Sequence, residues 1–224
     1  MKQVRLIIGV AVLIISSPGY GQTISSALPA IVNPNGNFLF YLHGGVVTDE
    51  GNNGMTKAMP QWGRYEYLNI LDSLRNRGFT VVSERRRPGV DDSLYVNKIV
   101  RQVDSLLQNG VPINHVMIVG ASSGAAITLN VASALKTKRM KYIIMGACWP
   151  DTYKSYLGLT LEGRFLSIIE KSDPHGTCSA IFNSRPKVSR FQEIVLNTGL
   201  SHGFLFKGYK DWLDPVTKWY WETE

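Results

Sequence analysis

Val116-Met117-Ile118-Val119-Gly120-Ala121-Ser122-Ser123-Gly124 is an apolar run that ends in Gly-x-Ser-x-Gly, and the small and apolar residues 125 to 129 follow it. An apolar strand that turns abruptly into a helix puts the serine at the apex of a tight bend, where its hydroxyl projects clear of the backbone. Gly120 and Gly124 lie two residues either side of Ser122, where strand and helix approach too closely for larger side chains. The pattern therefore predicts that Ser122 is presented as a nucleophile.

Other polar signals accompany this serine. An upstream apolar stretch, Phe38 to Leu42, runs into His43-Gly44-Gly45, an acid follows a later strand, and a histidine lies near the C-terminus. In these motifs and in the order nucleophile, acid, histidine, residues 36 to 222 resemble the α/β-hydrolase superfamily. The resemblance implies an α/β fold with a mostly parallel central sheet and helices on both faces. Its N-terminal strands are expected to be reduced, since only Thr23 to Val32 remain to supply them.

Apolar runs alternate with amphipathic segments along the rest of the chain, which is typical of a parallel sheet covered on both faces. Strands are predicted at 38–43, 79–84, 115–120, 140–147, 163–170 and 192–197. Two helices are predicted because apolar residues recur at helical spacing. The apolar face of the first comprises Tyr67, Ile70, Leu71 and Leu74, and that of the second comprises Ile99, Val103, Leu106 and Leu107. A last helix is predicted at 211–222. Parallel sheets bind ligands at the carboxyl ends of their strands, so we expect the polar signals to converge there.

A serine hydroxyl becomes an effective nucleophile when a base accepts its proton and a third group orients the base. His202 is predicted to be the base because it lies in a glycine-flanked loop after the last strand, where the resembling superfamily carries its catalytic histidine. His175 is a weaker rival. The acid is predicted to be Asp173, which follows the strand at 163–170, and Asp151, after the preceding strand, is the alternative. The resemblance favours the later position.

Acyl transfer also needs backbone donors for the oxyanion of the tetrahedral intermediate, and these come from the residue after the nucleophile and from the loop after the first central strand. Ser123 has the first position. Gly45 or Val46 is predicted to supply the second donor, because neighbouring glycines let the backbone turn its amides inward. His43 is expected to shape this loop rather than to transfer protons.

Residues 46 to 66 are predicted to form an irregular loop that contacts substrate. Within it, Arg64 and Tyr65 are candidates to meet a substrate carboxylate or carbonyl, although both suit capping and packing of the next helix equally well. Arg85-Arg86-Arg87 follows an apolar strand. This cluster is either a solvated charge run or a receptor for an anionic substrate group at the edge of the sheet.

Residues 1–21 have the features of a secretory signal peptide: Lys2 and Arg5, an apolar segment from Leu6 to Ile15, and a small-x-small cleavage site before Gln22. The apolar run is too short to span a bilayer, so no stable membrane anchor is expected. Residues 22–224 are then a single α/β-hydrolase domain, exported to the periplasm or secreted. No aromatic-interleaved basic motif supports nucleic-acid binding.

Cys148 and Cys178 are the two cysteines of the chain. An even pair in an exported protein suggests a disulfide, and each follows a strand that would be a sheet neighbour of the other. A bridge would tie down the loop that carries the acid. Two buried free thiols are the alternative, whereas two cysteines without clustered histidines disfavour a metal site.

Together these features predict a serine hydrolase that cleaves a carboxylic ester through an acyl-enzyme. Peptidase or amidase action by the same residues, and a non-catalytic binding protein on a hydrolase fold, are the alternatives. The expected partner is a small-molecule ester or similar acyl substrate. No cofactor or metal is implied, and the sequence leaves the oligomeric state and the identity of the acyl group open.

Overall fold

The computed structural model describes residues 24–137, 139–150, 153–183 and 185–222. The predicted signal peptide, residues 1–21, and the alternative acid Asp151 lie outside the described residues. The strands are Ile24–Ser25 (β1), Phe38–Leu42 (β2), Ala58–Met59 (β3), Gly63–Arg64 (β4), Thr80–Val82 (β5), Val116–Ala121 (β6), Lys141–Met145 (β7), Gly163–Glu170 (β8) and Val188–Leu196 (β9). The helices are Gly45–Asp49 (α1), Tyr67–Arg75 (α2), Asp92–Gln108 (α3), Ser123–Leu135 (α4), Tyr153–Tyr156 (α5), Ser179–Phe182 (α6) and Lys210–Trp221 (α7), with 3-10 turns at Asn53–Thr56, Ile113–His115 and Ser201–Leu205.

Seven strands of the described part of the chain form one sheet in the order β1-β5-β2-β6-β7-β8-β9, and every neighbouring pair in it is parallel. β3 and β4 form a separate antiparallel pair. The expected α/β class and parallel central sheet are confirmed. The N-terminal segment contributes the two-residue strand β1, in agreement with the expected reduction of the first strands.

The core has one layer on each face of the sheet, because alternate residues of a strand point to opposite faces. Phe38, Phe40 and Leu42 of β2 pack with buried residues of α3 and α4. Leu39 and Tyr41 pack with buried residues of α2 and α7. β2, β6 and β7 are buried along their whole length, as expected of central strands covered on both faces.

The strands predicted at 79–84 and 140–147 are shorter in the structure, Thr80–Val82 and Lys141–Met145, and three further differences concern other segments. The last strand begins at Val188 rather than at residue 192, where it pairs with the start of β8. Leu107 is 37% exposed, so the buried face of α3 runs through Leu106 without it. Residues 46 to 66 are less irregular than predicted, since they contain most of α1, a 3-10 turn and the pair β3 and β4.

Because the strands of the main sheet are parallel, their carboxyl ends lie along one edge of the sheet. His43 follows β2, Ser122 follows β6, Asp173 follows β8 and His202 follows β9. The polar signals of the sequence therefore converge on this edge, as predicted. Among the described residues, no helix is both long enough and apolar enough to cross a bilayer.

Candidate active site

Ser122 occupies a strained turn between β6 and α4, with φ 53° and ψ −122°. This left-handed φ is unfavourable for a residue other than glycine, and close packing imposes it. A Cβ on Gly124 would lie 1.9 Å from the carbonyl oxygen of Leu42, and one on Gly120 would lie 2.4 Å from the Gly124 carbonyl oxygen. The Ser122 amide donates to the Met145 carbonyl at 2.8 Å, which anchors the turn to β7.

A continuous series of hydrogen bonds joins Ser122, His202 and Asp173. The distance from Ser122 Oγ to His202 Nε2 is 3.0 Å, and that from His202 Nδ1 to Asp173 Oδ2 is 2.7 Å. The Asp173 side chain is 1% exposed and that of His202 is 14% exposed. The second oxygen, Asp173 Oδ1, accepts from the backbone N–H of His175 at 3.1 Å. The structure thus brings together the three side chains that the sequence singled out as nucleophile, base and acid.

Glu170, at the end of β8, links the two loops that carry Asp173 and His202. Its Oε2 accepts from the Ser172 N–H at 2.7 Å and from the Ser172 hydroxyl, while its Oε1 accepts from the N–H groups of Thr198 at 2.9 Å and Gly199 at 3.1 Å. Burial by itself would raise the pKa of this carboxyl, but the hydrogen bonds outweigh burial and lower it. Glu170 ends its strand, as predicted, and as a carboxylate it also fixes the relative position of the two loops.

Cys148 and Cys178 form the predicted disulfide. Beside it, Cys148 makes an isolated antiparallel bridge with Gly176, and the indole N–H of Trp149 donates to His175 Nε2. The segment after β7 is therefore attached to the segment that carries Asp173 by covalent, backbone and side-chain contacts.

The remaining histidines have other surroundings. The ring of His175 packs edge-on against that of His202, with centroids 4.4 Å apart, and burial followed by the charge of His202 lowers the pKa of His175. His43 is fully buried. Its Nε2 accepts from the Arg86 backbone N–H at 3.0 Å, so its Nδ1 carries the proton and donates to the Gly44 carbonyl at 2.9 Å. Burial, reinforced by the charge of Arg86, lowers the pKa of His43 to about 3, so it is a neutral structural group of the loop.

The segments predicted to supply oxyanion donors adjoin Ser122. Ser123 is the first residue of α4, and Gly45 and Val46 are the first two residues of α1. A Cβ on Gly44 would lie 3.3 Å from the Cβ of Ser122, and one on Gly45 would lie 3.7 Å from Ser123 Oγ. Glycine at position 44 permits this close approach, whereas a Cβ at position 45 would make only ordinary contact. The first amides of the two helices have no partner within their own helices.

A cavity of about 180 Å³ opens beside Ser122 and His202. Most of its lining is apolar, and includes Val46, Met59, Trp62, Tyr65, Leu205 and Phe206. Gly203 is essential to this lining, since a Cβ there would lie 2.7 Å from the Trp62 side chain. The stretch 46 to 66 thus supplies part of the cavity wall, and its contact with substrate stays a prediction.

The two predicted substrate-contacting residues of this stretch have different surroundings. Tyr65 is buried, lines the cavity, and packs edge-on against Phe206 at 5.0 Å between ring centroids. Arg64 is exposed on β4, outside the cavity wall. The geometry therefore places Tyr65, but not Arg64, next to the space that a substrate would occupy.

The prediction of a solvated charge run holds for two members of the arginine cluster, Arg85 and Arg87, but neither prediction holds for Arg86. Arg85 and Arg87 are exposed, but Arg86 is buried, and its Nη2 donates to the His43 carbonyl at 2.7 Å and to Ser123 Oγ at 3.0 Å. The guanidinium is therefore neither solvated nor in the cavity wall. It lies behind the candidate oxyanion segments, where sequence analysis had assigned no residue.

One group of described residues has the composition of a metal site. Potential ligand atoms of Asp173, His175 and His202 lie within 4.8 Å of one another. Two of these side chains are already hydrogen-bonded to each other, and Nε2 of the third accepts from Trp149. A metal would have to displace these bonds, so the set suits proton transfer better than metal binding.

Sequence reasoning placed the arginine cluster at this edge of the sheet but did not single out Arg86, and it missed Glu170 as a link between the two loops and Trp62 as part of the cavity wall. The signal for Arg86 was partial: the segment after a parallel strand lies at the edge of the sheet where the polar groups gather, but nothing in the run of arginines marks the middle one as buried. Glu170 and Trp62 gave no such signal, since their contacts depend on how separate loops meet.

No protein-family model matches the chain, and no curated protein matches it by sequence. Solved structures match it by fold. Esterase B from Lactobacillus rhamnosis, crystallised with a tributyrin phosphonate, has 14% identity and a TM-score of 0.60 over 84% of this chain and 76% of that one. An esterase/lipase from an uncultured bacterium has 14% identity and a TM-score of 0.58 over 83% and 75%. The RedJ thioesterase of the prodiginine pathway in Streptomyces coelicolor has 14% identity and a TM-score of 0.53 over 86% and 90%. The fold is that of the α/β-hydrolases.

Proposed function

We propose that this protein is a serine hydrolase that cleaves a carboxylic ester through an acyl-enzyme. The observation that carries the proposal is the hydrogen-bonded series Ser122, His202, Asp173, whose serine opens into an apolar cavity. A binding protein would have no use for a strained serine hydrogen-bonded to a histidine that a buried aspartate orients. The esterases and thioesterases of the same fold support the same reaction class.

In the first half of the reaction, His202 Nε2 accepts the proton of Ser122 Oγ while that oxygen bonds to the ester carbonyl carbon. Asp173 keeps the proton on His202 Nδ1 and stabilises the imidazolium. The carbonyl becomes an oxyanion, for which we assign the amides of Ser123 and of Gly45 or Val46 as donors. The intermediate collapses as His202 returns the proton to the alkoxide leaving group, which departs as an alcohol.

In the second half, water replaces the alcohol. His202 takes a proton from the water as its oxygen attacks the acyl carbon, and a second tetrahedral intermediate forms in the same pocket. Its collapse returns the proton to Ser122 and releases a carboxylic acid. These steps need no redox partner, because the electron pair of each carbon–oxygen single bond that breaks stays on the departing oxygen, which His202 protonates.

The cavity supports a small or narrow apolar group next to the reacting carbonyl. Its volume is about 180 Å³, and Trp62, Leu205 and Phe206 present apolar surface to it. Long acyl chains would have to extend beyond the cavity into solvent. We therefore propose short-chain or compact esters as the preferred class.

Labelling with a fluorophosphonate tests the nucleophile, since the probe phosphonylates activated serines. We expect an adduct at Ser122, identified by peptide mass, in the wild-type protein and in a His115→Ala control at the opposite edge of the sheet. The adduct should be absent from Ser122→Ala and reduced by at least about a thousandfold in rate in His202→Ala. A folded wild-type protein that takes no label would instead support the binding-protein alternative.

A substrate panel then tests the reaction class. p-Nitrophenyl acetate, butyrate, octanoate and palmitate, an acyl thioester and a matched anilide should be compared at equal concentrations of titrated active sites. We expect kcat/KM to be highest for the acetate or butyrate and lowest for the anilide. Preference for the anilide would favour the amidase alternative, and preference for palmitate would contradict the proposed size limit.

We also propose export of the chain, followed by cleavage before Gln22. The basic start and apolar segment of residues 1–21 support it, and so does the disulfide, because disulfides persist in oxidising compartments. Expression of the full chain in a bacterial host, followed by intact-mass measurement of the periplasmic fraction, tests this. A protein that keeps residue 1 and stays in the cytoplasm would contradict it.

A further inference from the structure

Arg86 brings a positive charge into the protein interior directly behind the candidate oxyanion segments. The residue is 4% exposed. Its Nη2 donates to the His43 carbonyl at 2.7 Å and to Ser123 Oγ at 3.0 Å, and its backbone N–H donates to His43 Nε2 at 3.0 Å. One side chain therefore contacts both the loop that leads into Gly45 and Val46 and the residue that begins α4.

Among the described residues, this charge has no close negative partner. Among the ion pairs of the described residues, none involves Arg86, and its buried Nη1 has no hydrogen-bond partner there. The guanidinium carbon lies 5.6 Å from the centre of the Tyr95 ring, and Asp92 acts on it only at longer range. Burial lowers the pKa of the guanidinium, yet arginine remains protonated in proteins.

A buried cation without a carboxylate partner is expensive for a fold, since removal of an ion from water is compensated only by good partners. Charged groups that are retained in this state are concentrated at functional sites. Mere structural support of the loop could come from a neutral donor such as glutamine. The buried charge therefore points to a role that a neutral donor would not fill.

We propose that Arg86 is a positioning residue for the oxyanion hole: its Nη2 bridges the His43 carbonyl and Ser123 Oγ, and its charge favours the oxyanion over the ester ground state. The proposal rests on the proposed hydrolase function. The bridge fixes the spacing between the two segments that carry the candidate donors. Charges and dipoles that are oriented before the reaction stabilise a developing oxyanion without reorganisation, and they act most strongly where water is excluded.

The side chain takes no part in bond making. Negative charge arises on the carbonyl oxygen when Ser122 attacks, and it disappears when the leaving group departs. The Arg86 charge is present throughout, so it lowers the energy of the charged intermediate more than that of the neutral ester. Loss of Arg86 should therefore reduce kcat with little change in KM.

Three variants separate charge, bridge and folding. Arg86→Met removes both the charge and the bridge at similar length, and Arg86→Lys keeps the charge but not the planar fork. Arg87→Met is the matched control, because Arg87 is an exposed neighbour. All rates are to be divided by the concentration of active sites titrated with fluorophosphonate, so that unfolded protein does not lower the calculated kcat.

For Arg86→Met we expect kcat for a short p-nitrophenyl ester to fall by about a hundredfold, the lower end of the loss for an oxyanion donor, with KM within about threefold. Arg86→Lys should recover about a tenth of wild-type kcat, and Arg87→Met should equal wild type. A trifluoromethyl ketone, which adds to serine as an anionic hemiketal, should bind Arg86→Met more weakly by a factor similar to the loss in kcat.

Two results would overturn the proposal. One is an Arg86→Met protein with wild-type kcat per titrated site; the other is a loss in kcat with unchanged affinity for the ketone, which would indicate a role outside the oxyanion hole. Failure of the hydrolase function is distinguishable, because the wild-type protein itself would then neither label nor turn over ester.

A second variant applies if Arg86→Met does not fold. Ser123→Ala removes one acceptor of the bridge while its backbone amide remains, and it should lower kcat and ketone affinity together by about three- to tenfold. An unchanged Ser123→Ala enzyme would then contradict the bridge.

Discussion

The turn that carries Ser122 is fixed by close packing, whereas the loops that carry Asp173 and His202 are fixed by polar and covalent links. Around Ser122, strand and helix leave no space for a Cβ on Gly120 or Gly124. Around the other two residues, Glu170 receives hydrogen bonds from both loops and a disulfide joins positions 148 and 178. We call these the nucleophile side, residues 116–135, and the acid–histidine side, residues 170–178 and 197–205.

The difference concerns how each side responds to change. Repulsion between atoms rises steeply with overlap, so the nucleophile side should fail abruptly when an atom is added. Hydrogen bonds and a cross-link contribute separately, so the acid–histidine side should weaken in steps as they are removed. Substitutions on each side can test this contrast, and those with the largest expected effect come first.

The largest effect is expected for Gly124→Ala on the nucleophile side. The new Cβ would lie 1.9 Å from the Leu42 carbonyl oxygen, so backbone must move. We expect a loss of more than about 3 kcal/mol in the free energy of unfolding, measured by urea denaturation, and loss of labelling at Ser122. Gly176→Ala on the acid–histidine side is the control, since a Cβ there meets nothing within 4 Å. Equal losses in the two variants would refute the contrast.

The next effect is expected when the disulfide is removed in the double variant Cys148→Ser, Cys178→Ser. The bridge spans 30 residues of sequence, for which loop closure alone gives about 3.7 kcal/mol, and we expect a loss of about 3 kcal/mol in the free energy of unfolding, within the range of about 2–4 kcal/mol that is typical of disulfides. The acid loop should also become looser, so ester turnover should fall about tenfold even below the thermal midpoint. Wild-type protein treated with dithiothreitol should behave in the same way. Unchanged turnover in both samples would mean that Glu170 suffices to place Asp173.

A smaller effect is expected for Glu170→Gln, which exchanges one carboxylate oxygen for an amide NH2 group that would face N–H donors. We expect a loss of about 2 kcal/mol at pH 7, with the exposed Glu50→Gln as control. The pKa of Glu170 lies below its ordinary value of 4.5 in the folded protein, so its contribution is present above pH 4.5 and is lost as the pH falls through the folded pKa. The difference in unfolding free energy between wild type and Glu170→Gln should therefore narrow below pH 4.5. A difference that stays constant down to pH 3 would contradict the assigned role of the carboxylate.

The smallest effect is expected for His175→Phe, which keeps an aromatic ring against His202 but removes the nitrogen that accepts from Trp149. The free energy of unfolding should change by less than about 1 kcal/mol, and ester turnover should stay within about threefold of wild type. A loss as large as that of His202→Ala would make His175 the base and would reverse the sequence-based choice between the two.

The same contrast explains what could be predicted from the sequence. The strand, turn and helix around Ser122 could be predicted from a few neighbouring residues. The close packing at positions 120 and 124 admits only glycine, so the constraint is visible in the sequence itself. Sequence alone left Asp173 and Asp151 open, since the choice depends on which loop meets His202. Charge pattern misled at Arg86, because three consecutive arginines give no sign that the middle one is buried. Loop 46–66 contains more regular structure than predicted, since its short elements bury residues such as Val47 and Tyr65 that show no periodic pattern.

Because of the disulfide, the state of the purified protein depends on the conditions under which it folded. Two samples of identical sequence, one folded with its cysteines reduced and one with them joined, would contain the same serine in the same turn but differently restrained aspartates. The activity measured on recombinant protein therefore depends on the redox conditions of the compartment in which the chain was produced, as well as on its sequence. Production in an oxidising compartment, with thiols counted before any rate is measured, is the condition under which a low activity can be attributed to the substrate offered.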